Sequence, residues 1–250
     1  MTNKGKYYES QFEEATIELL REAHWQYAFG DDIHRKYTDP LIEEDLRNFL
    51  AVQYKDKNLT TSEMDSIIAN LRNTGGQNDY YALRNAFLLY RDGYDFAYSD
   101  GRDNPFRLEY IDFGHPDHNI FRCVNQFVME QGRENRRPDI LLFINGIPVC
   151  IIELKNPTKQ NATIRDAHTQ ICTRYMRDIS ALLKYCALAV ISDGAKNALG
   201  TTYTPFEFFY EWKKIENEDK AGKGLDTLRT LIRGALSPER ILEILSLIHI

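Results

Sequence analysis

The segment from Arg137 to Lys155 constrains the fold more than any other part of the chain. It reads RPDILLFINGIPVCIIELK, two apolar runs joined by Asn145 and Gly146. An Asn-Gly pair between two such runs predicts a β-hairpin. We therefore expect the chain to be organised around this hairpin.

Three polar residues stand at the open end of the predicted hairpin. Glu153 and Lys155 are two residues apart and project from one face of a strand, while Asp139 arrives beside them from the partner strand. Two carboxylates at such a place can hold a divalent metal, and the ammonium can lie near a water or a phosphate. The alternative is a surface hairpin with an incidental salt bridge, which the apolar character of residues 149–154 disfavours.

The register of the hairpin sets a condition on this metal site. A plain two-residue Asn145-Gly146 loop pairs Asp139 with Ile152 and turns Asp139 and Glu153 to opposite sides of the sheet. A three-residue loop, for example residues 144–146, or a bulge in one strand brings both acids to one side. We therefore predict an odd loop or a bulge.

The residues at the two ends of the hairpin carry a resemblance. Pro138-Asp139 followed by Glu153-Leu154-Lys155 resembles the core motif of PD-(D/E)XK nucleases. The surrounding words are similar, more narrowly, to the endonuclease region of the restriction subunit of type I restriction-modification systems, over about residues 8 to 212 with gaps. Those words are Asn119 to Gln126, Arg136-Arg137-Pro138-Asp139, Asn145-Gly146-Ile147-Pro148 and Glu153-Leu154-Lys155-Asn156-Pro157.

The resemblance implies a fold and a reaction. The fold is α/β, restriction-endonuclease-like, with a mixed central sheet flanked by helices. The reaction is Mg²⁺-dependent hydrolysis of phosphodiesters in DNA, with Asp139, Glu153 and the Leu154 carbonyl holding the metal. Lys155 would orient or deprotonate the attacking water, or stabilise the pentacovalent phosphate, and the sequence does not separate these roles.

Two further residues enter the predicted site through the same resemblance. Related nucleases often carry a metal-facing glutamate on the first helix, and Glu13 holds the matching position on the helix predicted over residues 8–24; its alternative role is a capping box with Ser10. The family often has a Gln-x-x-x-Tyr motif on the helix after the hairpin. Here Gln170 is followed by tyrosine one residue late, at Tyr175, whose place on the apolar stripe favours core packing.

The net charge of −6 argues against indiscriminate coating of nucleic acid, but basic residues concentrate around the hairpin. Residues 131–184 contain nine Lys or Arg against five Asp or Glu. That surplus is compatible with a phosphate-binding face, the alternative being an ordinary mixed surface. The residues we expect to contact DNA are Arg136, Arg137, Lys159, Arg174 and Arg177.

Before the hairpin, three helical patterns predict a helical insertion at residues 40–98, between the first helix and the sheet. They cover residues 41–54, 62–71 and 80–90. Residues 107–113 and 119–130 then read as strands, and the resemblance makes the loop between them a hairpin connector. His115 and His118 lie in this loop, but with no thiolate or third histidine nearby we interpret them as incidental rather than as a metal site.

After the hairpin, a helix beginning at Asn161 or Thr163 and ending at Leu183 is followed by an interior strand over residues 185–192. The sequence further predicts an aromatic amphipathic helix over residues 205–214. We expect an endonuclease domain at residues 1–216, and at 217–250 a linker and helices leading toward a further domain. The apolar pattern that runs to the end of the chain predicts a fragment.

Composition bounds the remaining expectations. With 43% hydrophobic and 27% charged residues, the 250-residue chain is typical of globular proteins, and no signal peptide or long apolar segment appears. Four widely spaced cysteines favour buried thiols in a reducing cytoplasm. No Gly-x-x-x-x-Gly-Lys-Ser/Thr loop is present, so the ATP-driven motor that the resemblance implies must lie beyond Ile250.

The resemblance also implies assembly with methyltransferase and specificity subunits. Two alternatives stay open. One is a free-standing repair or defence nuclease with the same core; the other is a catalytically silent DNA-binding or assembly module, against which the intact set of Asp139, Glu153 and Lys155 argues.

Overall fold

A computed structural model describes residues 4–155, 163–215 and 224–248, with side chains from residue 10 onward. Lys159, the helix start at Asn161 and the linker at residues 217–223 lie outside the described residues. The strands are β1 (Gln26–Phe29), β2 (Tyr94–Phe96), β3 (Phe106–Leu108), β4 (Phe121–Asn125), β5 (Met129–Gln131), β6 (Glu134–Arg136), β7 (Ile140–Ile144), β8 (Ile147–Leu154), β9 (Leu188–Ser192) and β10 (Asn197–Gly200).

A six-stranded mixed sheet, in the order β1-β4-β7-β8-β9-β10, forms the centre of the described structure. β1 runs parallel to β4 and β8 runs parallel to β9, while the other neighbours are antiparallel. β7 and β8 lie in the middle and every one of their residues is buried, because helices cover both faces. The predicted α/β fold with a restriction-endonuclease-like mixed sheet is confirmed.

The β7–β8 hairpin satisfies the register condition through a bulge. Asn145 and Gly146 both have positive φ values, 51° and 77°, and form a two-residue turn that pairs Ile144 with Ile147. The register then shifts, since Phe143 faces Pro148 but Leu142 faces Cys150, so Val149 is the extra residue. The predicted bulge is confirmed, whereas the three-residue loop offered as an example is wrong.

The helices cover the sheet on both faces. α1 to α4, α8 and α9 supply residues to one apolar core, and the helical segment over residues 164–183 supplies residues to the other. Their bounds are α1 (Lys4–Glu22), α2 (Glu43–Gln53), α3 (Thr61–Arg72), α4 (Asp79–Asp92), α5 (Ile164–Thr169), α6 (Met176–Asp178), α7 (Ser180–Leu183), α8 (Leu225–Leu231) and α9 (Pro238–Leu247).

The predicted helical insertion is present as α2, α3 and α4. The insertion follows β1, an edge strand of the sheet, so one strand of the sheet lies between the first helix and the insertion. α3 begins at a capping box in which Thr60 accepts from the Glu63 amide and the Glu63 carboxylate accepts from the Thr60 amide. α4 begins after Asn78, whose side chain accepts from the Tyr81 amide.

Two predicted elements are wrong. The loop at residues 114–118 does not connect a hairpin, because β3 pairs with β2 whereas β4 pairs with β1 and β7. Residues 205–214 contain one 3-10 turn, Phe206–Phe208, instead of an amphipathic helix. There the backbone of Tyr210 exchanges two hydrogen bonds with Leu199 of β10, so pairing at the sheet edge replaces helical bonding.

The last described helices pack back onto the sheet. Leu228, Ile241 and Leu245 belong to the same core as β7 and β8, and the Trp25 indole donates to the Leu236 carbonyl at 2.7 Å. The division at residue 216 stays a prediction. Among the described helices, none has both the length and the apolar character that crossing a bilayer requires.

Candidate active site

The two acids of the hairpin project to one face of the sheet. Asp139 immediately precedes β7, and the pairing of Ile140 with Ile152 places it opposite Glu153. The Leu154 amide donates to Asp139 Oδ2 at 2.7 Å, which fixes this carboxylate against the end of β8. Ile151 and Leu141 share the face and belong to the core under the helical segment 164–183. The bulge therefore brings both carboxylates beneath that segment.

Glu153 is a buried acid with an unsatisfied oxygen. It is 1% exposed, and within the described part of the chain no donor reaches its Oε2. Burial first, and then the negative charge of Asp139, raise the pKa of Glu153 to about 8 against the opposing effects of Lys155 and of the Tyr175 hydroxyl. A buried carboxylate with this surplus of negative charge and acceptors is a site at which a cation would be stabilised.

Lys155 connects the hairpin to the covering helix. Its Nζ donates to Glu153 Oε1 at 2.7 Å and to Gln170 Oε1 at 2.6 Å. Gln170 in turn donates from Nε2 to the Tyr175 hydroxyl at 2.7 Å. Burial, then the nearby Glu153 charge, raises the pKa of Tyr175, so the hydroxyl stays protonated. The structure thus joins Glu153, Lys155, Gln170 and Tyr175 in one chain of contacts.

A π-helix explains how Tyr175 reaches Gln170 across five residues. Residues Gln170–Tyr175 form a π-helical turn between α5 and α6. A π-turn bonds residue i to i+5, so it absorbs one extra residue and returns the fifth side chain to the face that the fourth would hold in an α-helix. The late tyrosine is therefore compatible with a Gln–Tyr pair, and Tyr175 also packs in the core as its apolar position indicates.

Glu13 lies in a cleft with Asp139. The cleft has a volume of about 650 Å³, and Glu13, Asp139 and Arg137 are among its lining residues. The capping box with Ser10 is wrong, because α1 already begins at Lys4 and Ser10 lies inside the helix. A metal-binding role for Glu13 stays a prediction. A larger cavity of about 810 Å³ is lined by other residues, and none of the predicted site residues is among them.

Sequence reasoning missed the two amides that hold Glu13. Asn125 donates to Glu13 Oε1 at 2.7 Å, and Gln126 donates to the same oxygen at 3.0 Å. Gln126 has a positive φ of 56°, a conformation that costs energy for a residue with a side chain. Both residues lie at the end of the motif that runs from Asn119 to Gln126. This polar pair at the end of an apolar strand is the sequence signal that could have indicated their role.

The predicted DNA-binding residues have different surroundings. Arg136 and Arg177 both pair with the buried Asp178, at 2.8 Å and 2.6 Å from their Nε atoms. Arg137, Arg174 and Arg177 are exposed. The structure therefore places Arg137 at the cleft with Asp139, whereas Arg136 and Arg177 are held by an acid.

This mixed sheet, with paired acids and a lysine at the open end of its central hairpin, defines a restriction-endonuclease-like α/β domain. The chain belongs to the family described as the N terminus of the type I restriction enzyme R protein, whose family model matches residues 6–208.

Three relatives illustrate the similarity. The chain is 28% identical over 94% of its length to the HindI type I restriction enzyme endonuclease subunit of Haemophilus influenzae, and 29% identical over 83% to the putative MjaIXP endonuclease subunit of Methanocaldococcus jannaschii. It is 32% identical over 50% of its length to the EcoprrI endonuclease subunit of Escherichia coli. The aligned regions cover 23%, 20% and 40% of these relatives, so the chain spans a minor part of each.

Proposed function

We propose that this chain is a Mg²⁺-dependent endonuclease domain that hydrolyses phosphodiesters of double-stranded DNA. The observation that carries the proposal is the buried Glu153 Oε2, which has no donor among the described residues and lies across from Asp139. Two carboxylates and nearby backbone carbonyls are the hard oxygen ligands that Mg²⁺ takes in proteins. The residues present therefore fit the metal, with Asp139, Glu153 and the Leu154 carbonyl as the proposed ligands and Glu13 as an auxiliary one.

Bound Mg²⁺ would supply a Lewis acid that neutralises a phosphate oxygen and lowers the pKa of a bound water. The chain's own contribution is the placement of Lys155. Two of its three N–H groups are used by Glu153 and Gln170, which holds the ammonium at the acids and leaves a third N–H to donate to a water or phosphate oxygen. Gln170 and Tyr175 act as positioning residues, because they fix Lys155 from the covering helix.

The DNA would approach the cleft that Glu13, Asp139 and Arg137 line. Arg137 and Arg174 are exposed and are proposed to contact phosphates, whereas Arg136 and the exposed Arg177 would do so while paired with Asp178. Family membership and the relatives' names support a restriction function. For the whole protein we propose an ATP-driven DNA motor outside this chain and a complex with methyltransferase and specificity subunits.

Plasmid cleavage by the full-length subunit, in its assembled complex and with Mg²⁺ or Mn²⁺, tests the proposal. Lys155→Ala and Glu153→Gln should each reduce the cleavage rate by at least about a hundredfold, because each removes a group that acts at the reacting phosphate. Lys196→Ala is the matched control, since Lys196 is exposed and lies on the turn after β9.

ATP hydrolysis measured in the same samples separates a nuclease defect from a failure to assemble. The proposal requires that ATP hydrolysis persist in Lys155→Ala while cleavage is lost. Cleavage at the parental rate in both Lys155→Ala and Glu153→Gln would overturn it.

A further inference from the structure

A second group of metal-ligating side chains lies in the segment between β3 and β4. Asp112, His115 and His118 each offer a ligand atom, and these three atoms lie within 4.8 Å of one another. His118 Nδ1 is 2.9 Å from Asp112 Oδ2, and His115 Nδ1 is 3.3 Å from the same oxygen. Ligands held roughly 2.0–2.1 Å from a tetrahedral Zn²⁺ are about 3.3 Å apart, so both imidazole nitrogens already lie at nearly that distance from the carboxylate oxygen.

The frame of this loop is fixed by groups other than the two imidazoles. Asn119 accepts from the Asp112 amide at 2.9 Å and donates to the Asp112 carbonyl at 2.7 Å. Asn145, in the turn of the central hairpin, donates to Asn119 Oδ1 at 2.8 Å. The backbone amides of Gly114 and His115 donate to Asp112 Oδ1 at 3.0 Å and 2.9 Å. The ligand atoms are therefore preorganised, which lowers the entropic cost of binding a cation.

Charge and exposure agree with a cation site open to solvent. The Asp112 side chain is 9% exposed and presents its carboxylate to both imidazoles. The side chains of His115 and His118 are 66% and 48% exposed, so a metal held there would keep a position for water or an exchangeable ligand.

We infer that Asp112, His115 and His118 form a binding site for a transition-metal dication of the Zn²⁺ class. Two imidazole nitrogens and one carboxylate are the donors that such ions prefer, whereas Mg²⁺ favours oxygen. Gln53 Nε2 donates to Asp112 Oδ2 at 3.2 Å and supplies an outer-shell contact from α2. The site lies beside the turn end of the hairpin, and the five residues of β7, about 17 Å of strand, separate that end from the end with the acids.

Bound metal would tie the loop to the elements around it. The 3-10 turn Pro116–His118 contacts α9, and Asn119 contacts the hairpin turn. The site is distinct from the proposed nuclease centre and does not depend on it. A structural role follows, in which the cation fixes the loop between the insertion and the sheet.

Zinc retention by the purified chain, measured by equilibrium dialysis and elemental analysis at low micromolar free Zn²⁺, tests the inference. The parent should retain one Zn²⁺ that Glu153→Gln also retains, because the nuclease acids are not its ligands. His115→Ala and His118→Asn should each lower the affinity for Zn²⁺ tenfold or more, since even the loss of an outer-shell partner lowers metal affinity about 10–100-fold. His34→Asn, a change at an exposed histidine outside the group, should leave it unchanged.

His118→Asn also separates a metal site from a purely structural network. The asparagine amide can donate to Asp112 as the imidazole Nδ1 does, but it is a poor zinc ligand. Added Zn²⁺ should raise the melting temperature of the parent and His34→Asn and leave that of His118→Asn unchanged. Equal zinc retention by His118→Asn and the parent, or no retention by the parent, would overturn the inference.

Discussion

Two buried carboxylates lie at opposite ends of the central hairpin and differ in what surrounds them. Asp112, beside the turn, accepts from backbone amides, Gln53 and a histidine, and its pKa is lowered despite burial. Glu153, at the open end, has one oxygen on Lys155 and one without a donor in the described structure, and its pKa is raised to about 8. Burial is common to both, so the donors around Asp112 and the negative charge of Asp139 beside Glu153 account for the opposite directions of the two pKa shifts.

The difference separates a carboxylate that has protein donors on both of its oxygens from one that lacks a donor on one oxygen. Asp112 accepts hydrogen bonds at Oδ1 from backbone amides and at Oδ2 from Gln53. Glu153 lacks donors for one oxygen and faces Asp139, so the metal-free domain carries a cost at this end of the hairpin. The proposed Mg²⁺ would relieve that cost, which couples metal binding to stability.

The pH dependence of stability gives the largest expected effect. The folded pKa of Glu153 is about 8 and its ordinary value is 4.5, so between these values the folded state binds more protons than the unfolded state. The stability that this difference provides is fully present below pH 4.5 and is lost as the pH rises toward about 8. In EDTA we expect a fall of at most about 1.4 kcal/mol per pH unit from this group.

Urea denaturation of the metal-free chain across this window measures the slope. Glu153→Gln should flatten it, because the amide cannot ionise, while Glu109→Gln, at an exposed glutamate, should not. Added Mg²⁺ should stabilise the parent most at the alkaline end. Parallel pH profiles for the parent and Glu153→Gln would show that Glu153 is not the strained group.

At the turn end, Gly146→Ala should give the next largest effect. Gly146 has a φ of +77°, and a Cβ there would meet the Ile42 carbonyl oxygen at 2.1 Å. The turn packs against the start of α2, where the Ile42 amide donates to the Gly146 carbonyl at 2.9 Å. Left-handed strain and the clash together should lower the free energy of unfolding by about 3 kcal/mol or more.

Gly101→Ala is the matched control for this substitution. Gly101 has a similar φ of +66°, but a Cβ there would meet nothing within 4 Å. In Gly101→Ala the free energy of unfolding should fall by about 1 kcal/mol, which is the cost of the left-handed conformation alone. Equal losses in the two variants, measured by urea denaturation, would show that the close approach to Ile42 contributes nothing.

The sequence predicted the hairpin and the side on which its acids lie, because strand side chains alternate with a period of two and the acids can meet only with an odd shift. It did not locate the bulge at Val149, since both Val149 and Cys150 are apolar and either fits the core. The sequence predicted a strand over residues 107–113, whereas β3 ends at Leu108 and Asp112 lies in the segment after it. The predicted strand therefore set Asp112 apart from His115 and His118, with which we propose that it binds a metal ion.

At the edge of the sheet, too, the local sequence pattern predicted the wrong element. Residues 205–214 have aromatic spacing that fits a helix, yet Tyr210 pairs with Leu199 because β10 offers unpaired backbone groups there. This pairing depends on β10, which lies outside the segment and is not considered when the segment's own residue spacing is used to predict a helix. Local patterns therefore predicted the interior of this protein better than its edges and connections.

Deletion of Thr173 is expected to have the smallest effect and addresses the open end of the hairpin. Thr173 is exposed and lies within the π-turn Gln170–Tyr175. Without it, Gln170 and the tyrosine are four residues apart, which in an α-helix keeps them on one face. The hydrogen bond from Gln170 to the tyrosine should survive, and the free energy of unfolding should change by about 1 kcal/mol or less.

Cleavage by the full-length subunit should then stay within about threefold of the parent, since less than about 0.7 kcal/mol of transition-state stabilisation is affected. Gln170→Ala sets the scale for a real loss, because it removes the acceptor that holds Lys155 Nζ at 2.6 Å. If the deletion variant is as impaired as Gln170→Ala, the π-turn does more than absorb an extra residue, and its geometry itself must position Lys155.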